Sequence, residues 1–393
     1  MKQFNKTRIA AAVGTAALAM SLGAPANAAI SLGGDNGWEV TYGGFINLFY
    51  TQSDWDYDGG TDEDSAHLQE GLLPAFHTFT VKSPTINGLT GTGQITFAPD
   101  SSGAKGKNLN KGGAEIDMRE VFFNVEGSFG TISAGRTLAL FQRQAILKDY
   151  TLFGVGAMAG ADTGGTRLGR IGFGYVYPDF RTRFVYQTPN INGLQLSVGV
   201  FDPDETGAGA TFSNNGLETD VPQFQAEATY NTAFGGGNIS AWVGGIWQEM
   251  EITTISDDVE MWGVDVGLDV TFGGFNVAGH YYTGEALGTV FLQDFSAFGT
   301  SGGSVSEADN DGYYVQGAYT FNGKTKVGIS YGESTQDANA TFSIPEINNT
   351  LWTVGVYHDV NSWLKLVAEY GDQDTDFFGH DAQTFSVGGF LLW

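Results

Sequence analysis

Apolar and polar side chains alternate with a period of two along most of the chain, and turns that contain glycine interrupt the pattern. Successive side chains of a strand point to opposite faces of a sheet, so this period predicts strands with one apolar and one polar face. In one clear example Trp262, Val264, Val266, Leu268, Val270 and Phe272 oppose Gly263, Asp265, Gly267, Asp269 and Thr271.

The connections between these strands alternate in length. Short turns and longer polar loops together join sixteen predicted strands of about ten residues, the pattern of an outer-membrane barrel. The short turns lie at Pro84–Gly88, Gly127–Ser128, Pro189–Gly193, Gly235–Gly237, Gly273–Gly274, Asn322–Gly323 and Asn361–Ser362, and the longer loops at about 51–71, 99–114, 137–180, 203–221, 251–258, 286–311, 334–347 and 374–380.

The alternation also fits a soluble β-sandwich, which would bury its apolar faces between two sheets. A closed antiparallel barrel is the form in which a sheet can face hydrocarbon, since closure leaves no unpaired edge. The regular alternation of short and long connections, and the aromatic residues at the strand ends, favour the barrel. The fold class expected is therefore all-β.

Composition narrows the classes of function. The 393 residues include 44 Asp and Glu against 18 Lys and Arg, which gives a formal net charge of −26. Nucleic acid is excluded as the default partner, because phosphate binding requires clustered basic residues. With no cysteine in the sequence, disulfide scaffolds, thiolate metal sites and cysteine nucleophiles are excluded as well.

The N-terminus has the form of an export signal. Lys2, Lys6 and Arg8 precede an uncharged stretch at 9–22, and small residues predict cleavage between Ala28 and Ala29. A membrane anchor is the alternative, but the apolar stretch is short and rich in alanine. The sequence thus predicts a signal peptide at 1–28 and a single barrel domain at 29–393.

At several points the chain resembles the trimeric general porins of Gram-negative bacteria. The motif from Arg119 to Arg136 (REVFFNVEGSFGTISAGR) matches that family's strand–turn–strand pattern, and the turn at 83–88 recurs at 188–193. The last strand ends in an aromatic residue, Trp393. The resemblance implies a homotrimer in the lipopolysaccharide-bearing outer membrane, and a water-filled channel through which small hydrophilic solutes and ions diffuse, with no cofactor required.

In that family the third long loop folds into the barrel and narrows the pore, which here places the constriction loop at about 137–180. The constriction predicted from it sets Asp149 and Asp162 against Arg119, Arg136, Arg181 and Arg183. Strand alternation assigns Arg119 to the apolar face, so either a bulge intervenes or the residue lies above the lipid. Further lumen-facing residues are predicted from alternation at Glu227, Asp265, Asp269, His280, Lys365 and Glu369.

The first long loop contains Asp54, Asp56 and Asp58 in the spacing D-x-D-x-D-G. Carboxylates so spaced suit Ca²⁺, although the twelfth position is Ser65 instead of the glutamate of an EF-hand. A solvated acidic loop is the alternative to a calcium site.

Other functions remain open at this stage. A substrate-specific channel for sugars or peptides would use the inward aromatic residues Trp242, Tyr314 and Tyr357, and the acidic loops could serve an adhesin. An outer-membrane hydrolase would need a nucleophile and a base, and none of the five histidines lies in a recognisable nucleophile motif. Enzymatic activity is therefore not expected. The negative net charge predicts a mild preference for cations.

Export should remove the first 28 residues, because the small side chains before Ala29 fit a signal-peptidase site. Intact-mass measurement of the protein from outer membranes should give the mass of a chain that begins at Ala29. Retention of residues 9–22 would instead indicate an anchor.

Overall fold

A computed structural model describes residues 29–99, 101, 116–161, 165–203, 217–294 and 296–393. The chain forms a closed barrel of sixteen antiparallel strands, as the alternation predicts. Neighbours in sequence are neighbours in the sheet, except that short extra strands at the rims do not extend round the wall.

The strands vary from two to nineteen residues in length, and the longest, β2, pairs with strands on both sides of the closure. They are β1 (Ile30–Gly33), β2 (Glu39–Tyr57), β3 (Glu63–Gln69), β4 (Phe76–Lys82), β5 (Thr90–Pro99), β6 (Ile116–Gly127), β7 (Gly130–Leu138), β8 (Phe180–Gln187), β9 (Leu194–Phe201), β10 (Leu217–Glu218), β11 (Gln223–Phe234), β12 (Gly237–Ile252), β13 (Asp257–Phe272), β14 (Phe275–Glu285), β15 (Phe298–Ser301), β16 (Ser304–Glu307), β17 (Asp309–Phe321), β18 (Thr325–Gln336), β19 (Ile347–Asp359), β20 (Leu364–Thr375) and β21 (His380–Leu392).

The barrel closes where β2 pairs with β21. The register runs from Phe45 opposite Leu392 to Tyr57 opposite His380. Below it the backbone amide of Gly44 donates to the carbonyl oxygen of Trp393 at 2.8 Å, and Trp393 donates back to Gly44 at 3.0 Å. Both edges of the sheet are thereby paired with each other, as a bilayer requires.

One strand position of the wall is interrupted by a segment that turns inward. β3 and β4 both pair with β2 and together occupy this single position, and the six buried residues at 70–75 separate them. Pro74 cannot donate to a ladder, which favours a break at this point. The Asn47 side chain binds the loop at both ends, accepting from the Gly71 amide and donating to the Leu73 carbonyl.

The outward face carries a band of apolar side chains between two rows of aromatic residues. On β13 the band lies between Trp262 and Phe272, and Val266 at its middle is 52% exposed. Ten residues of strand span about 34 Å, which a tilt of 35–45° reduces to about 25 Å, the height of such a band. Charges begin directly above it, where Glu260 accepts a hydrogen bond from the Trp247 indole at 2.9 Å.

Helical structure in the described residues is confined to the connection between β7 and β8. It consists of α1 (Arg143–Lys148) and a 3₁₀ turn at Tyr150–Phe153. None of the helices described is long and apolar enough to cross a membrane.

The connections expected at 51–71 and 251–258 are shorter than expected, because the strands continue into them. β2 extends through Asp54 and Asp56 to Tyr57, and β3 begins at Glu63. β12 and β13 are likewise joined by only the residues 253–256. The alternation of inward and outward side chains continues in these segments, and on β2 it buries Ser53 and Trp55 on the inward face. The backbone groups of these segments therefore form the hydrogen bonds of strands.

Replacing Val266 by Arg should destabilise the folded barrel by about 2–4 kcal/mol, the cost of a basic side chain at the bilayer midplane. Thr271→Arg is the matched control, since Thr271 lies on the lumen face of the same strand. Unfolding of both variants in vesicles by guanidinium would measure the difference. Equal losses would show that Val266 does not face lipid.

Candidate channel constriction

Residues 139–161 and 165–179, here called the inward segment, connect to β7 and β8 and lie in the interior of the barrel. Their backbone amides are bound by polar side chains of the opposite wall. Leu140 and Phe141 both donate to the side-chain carbonyl oxygen of Gln225 on β11 at 2.8 Å. Gln316 on β17 accepts from the Tyr150 amide at 3.1 Å and donates to the Lys148 carbonyl at 2.7 Å.

The middle of the inward segment is held by β20. Glu369 accepts from the amides of Val155 at 2.5 Å and Gly156 at 3.2 Å, and from the Tyr357 hydroxyl. Gln373 binds Met158 twice, accepting from its amide at 2.7 Å and donating to its carbonyl at 2.9 Å. Polar side chains of the wall thus replace the water that an exposed loop would bind.

Asp149 lies at the centre of this packing and is fully buried. It accepts hydrogen bonds from the amide and hydroxyl of Thr151 at 2.9 and 2.5 Å and from the Tyr175 hydroxyl at 3.1 Å. The Arg170 guanidinium lies 3.9 Å away and also binds Ser330, Thr353 and the Leu351 carbonyl. Asp149 therefore fixes the shape of the segment and is not open to passing ions.

The helix α1 turns one face to the wall and the other to the open lumen. Ala145 and Ile146 are buried, whereas Arg143, Gln144, Leu147 and Lys148 are partly exposed. The Arg143 side chain pairs with Glu227 and is 18% exposed against 3% for the glutamate. Lys148 lies 3.9 Å from Asp269 and is 28% exposed against 10%. In both pairs the cation is the partner that solvent reaches.

Most residues predicted to face the lumen do lie on the inward face. The wall residues Glu227, Asp265, Asp269, His280, Lys365 and Glu369 alternate with outward apolar side chains. Arg181 and Arg183 on β8 are also inward: Arg181 donates to the Asp202 carbonyl at 2.8 Å and Arg183 to the Leu138 carbonyl at 2.6 Å.

Arg136 is a correction to the predicted constriction. It lies exposed on the outward face of β7, opposite Val121 and Thr182, because Thr137 and not Arg136 has the inward parity of that strand. The other arginine of the motif sits in a bulge: Thr96 pairs with Glu120 and Phe97 with Met118, which leaves Arg119 without an opposite residue.

The bulge turns Arg119 toward the rim, where it pairs with Asp117 at 2.6 Å and donates to the Tyr177 hydroxyl at 3.0 Å. Its guanidinium lies 5.4 Å from the centre of the Phe180 ring. These contacts place Arg119 at one end of the inward segment. Asp162 and Ala28 lie outside the described residues, and Ala29 is the first residue described.

A second segment, 286–308, also packs on the interior and was missed by the sequence reasoning. It covers inward apolar side chains of β12 and β13 that include Met250, Val259 and Met261. The Tyr177 amide donates to the Val290 carbonyl at 3.0 Å, so the two segments touch. The sequence contains a pattern that indicates this packing. At 258–261 the acidic residues lie at outward positions of the strand and the apolar residues at inward positions.

The inward aromatic residues Trp242, Tyr314 and Tyr357 are buried. Trp242 donates to Asp265 at 3.1 Å, and the Tyr314 hydroxyl donates to the Ala145 carbonyl at 3.0 Å. Tyr357 is bound to Glu369 and is 4% exposed. None of these three rings offers a free face for stacking with a sugar.

Burial shifts the pKa of several groups in the interior segments. It lowers the pKa of Arg167 to about 10, against the opposing charge of Glu70, and raises the pKa of Tyr177 to about 12, against the opposing charge of Arg119. Burial also raises the pKa of Tyr175, with the nearby Asp149 adding to it. At neutral pH Tyr175 and Tyr177 are therefore neutral, and Arg167 is charged.

The residues of the predicted calcium site lie apart from the channel. Asp54 and Asp56 project outward from β2 on either side of the inward Trp55, and Asp58 follows the end of the strand. Within the described part of the chain, no group of three or more His, Asp or Glu side chains is arranged to hold a metal ion. Calcium binding stays a prediction from the sequence.

Glu369→Ala should loosen the inward segment, because the amides of Val155 and Gly156 lose their acceptor. A buried unsatisfied donor costs about 1–3 kcal/mol, so amide hydrogen exchange at 154–158 should speed up by about tenfold or more. Glu333→Ala, on the outward face of β18, is the control. Unchanged exchange at 154–158 would mean that other contacts hold the segment.

Three comparisons with known proteins agree with this architecture. Porin-like protein H of Photobacterium profundum is 24% identical over 375 residues, which cover 94% of this chain and 95% of the relative. The outer-membrane channel DcaP of Acinetobacter baumannii has a similar fold, with a TM-score of 0.67, 17% identity, and coverage of 92% of this chain and 99% of that one. An anion-selective porin from Comamonas acidovorans gives a TM-score of 0.64 at 14% identity, over 91% and 100% of the two chains.

The profile that describes Gram-negative porins matches residues 14–377, nearly the whole chain. The match includes the inward segment and every strand of the wall except the last, β21. The chain therefore belongs to the Gram-negative porin family and is a multi-pass, channel-forming protein of the outer membrane.

Proposed function

We propose that this channel carries small hydrophilic solutes by passive diffusion, without a chemical step, and favours anions at its constriction. The observation that carries the proposal is the open face of α1, where Arg143 and Lys148 are more exposed than the carboxylates that pair with them. Selectivity in such channels depends on the charges that line the narrow part of the pore.

The buried acids do not oppose this preference. Glu369 and Asp149 are enclosed by their hydrogen bonds to the inward segment, so permeating ions do not meet them directly. The net charge of −26, which favoured cations, includes many carboxylates on the outer rim. Such charges act weakly beyond a Debye length of about 8 Å at physiological ionic strength.

A substrate-specific sugar channel is less well supported, because the inward aromatic residues are covered. Membership of the family supports a homotrimer surrounded by lipopolysaccharide, and conductance steps in groups of three would test it.

Reversal potentials in planar bilayers under a potassium chloride gradient test the preference. The wild type should favour chloride, and Arg143→Gln with Lys148→Gln should lower the ratio of chloride to potassium permeability. The reduction should be about fivefold at most, since a unit charge at 4 Å in water is worth about 1 kcal/mol. Lys324→Gln, which removes the same charge from an exposed turn, should change nothing.

A wild-type channel that favours potassium would contradict the proposal. So would an anion preference that survives both substitutions while Lys324→Gln reduces it.

A further inference from the structure

We propose that Lys148, Lys326 and Lys365 form a subsite for a small dianion, such as phosphate or a short dicarboxylate, at the short-turn end of the lumen. The inference rests on the proposed preference for anions and deepens it by naming the class of anion that binds. None of the anchoring contacts of the inward segment involves the side chains of these lysines.

Two of the lysines lie on the wall, on β18 and β20, with β19 between them. Lys326 is the second residue of β18 and lies opposite Tyr357 of β19, whose side chain is inward. Lys365 is the second residue of β20 and lies opposite Asp359, the last residue of β19. Both ammonium groups are therefore on the inward face, just inside the short turns.

The third lysine approaches from the inward segment. Lys148 ends α1, and five residues later Phe153 lies beneath Lys365, with 5.6 Å between the ammonium nitrogen and the ring centre. The ring restrains the Lys365 side chain by a cation–π contact. The Lys148 ammonium group lies beside Asp269 of β13, a carboxylate whose charge also acts on Lys326.

The lysines carry more positive charge than their neighbours neutralise. Lys365 pairs with Asp359 at 2.5 Å, and Lys148 lies 3.9 Å from Asp269. Lys326 has no hydrogen bond or ion pair within the described residues. Lys365 acts on it as a repelling cation, and Asp269, Asp149 and Asp359 act on it in the opposite sense. Two neighbouring cations repel each other, and an anion placed between them relieves the repulsion.

A dianion fits this arrangement better than a monoanion. One ligand charge can face each of the wall lysines, and the partly exposed Lys148 adds a third positive charge to this part of the lumen. The Lys365–Asp359 pair is half open, with Asp359 50% exposed, and exposed ion pairs are weak enough to be displaced. Lysine binds phosphate and carboxylate as a mobile point charge.

The experiment measures the block of single-channel chloride current in planar bilayers. Phosphate and malonate are added separately at about pH 8, where both carry two charges, and acetate serves as the monovalent control. For the wild type, both dianions should block at concentrations at least tenfold below that of acetate. The double variant Lys326→Gln with Lys365→Gln should raise the half-blocking concentration of the dianions by about tenfold, since each contact it removes is a charge-assisted one.

Lys82→Gln is the matched control, since Lys82 is an inward lysine beside a short turn on β4, and it should leave the block unchanged. Gln keeps a donor toward Asp359, and retained open-channel current shows that the variant has folded. If only phosphate or only malonate blocks, that compound identifies the ligand class, provided that the double variant weakens its block.

Equal block of the double variant and the wild type would overturn the subsite, as would block by acetate at the same concentration. Neither result bears on the chloride selectivity of the wild type, so the proposed anion preference would stand. Loss of chloride preference in the wild type is a separate result, and it would overturn the proposed function on which the subsite rests.

Discussion

Hydrocarbon offers no hydrogen-bond partner, so every strand that crosses a bilayer needs a paired neighbour on each side. Here the first long strand pairs with the last, β2 with β21, and no edge of the wall remains. Once the sheet is closed, each side chain faces either lipid or lumen, and the alternation of the sequence decides which. The position of the apolar band and the inward direction of Asp265 and Asp269 both follow from that closure.

Backbone groups in the interior also need hydrogen-bond partners, and side chains of the wall supply them. The inward segment has little regular structure of its own, and its backbone groups are bound by the side chains of Gln225, Gln316, Glu369 and Gln373. Inward carboxylates such as that of Glu369 thereby hold the inward segment in place. At the two ends of α1, the cations Arg143 and Lys148 are more exposed than the carboxylates that pair with them. On the proposed anion preference, a chain that is acidic as a whole would in this way present positive charge to permeating solutes.

Local alternation predicts the wall well and the interior poorly. Period two is enough to place Arg183, Glu227 and Asp269 inward, because the strand geometry fixes side-chain direction. It fails at Arg119, since a bulge inserts a residue and resets the count. Arg136 was misplaced for another reason: the motif that pointed to it was taken from a family resemblance, while the strand's own parity pointed outward. The burial of Asp149 depends on Arg170 and Tyr175, which no local pattern connects to it.

The anchors of the inward segment also fix an order of events in assembly. Val155 and Met158 are bound by Glu369 and Gln373, whose positions in the chain lie more than two hundred residues further on. Non-local contacts of this kind form late, because loop closure must precede them. The segment therefore cannot take its final shape until nearly all of the chain has arrived and the wall stands around it. Until then the charges that it buries, Asp149 and Arg170 among them, remain in water, and the inward segment is among the last parts of the molecule to form.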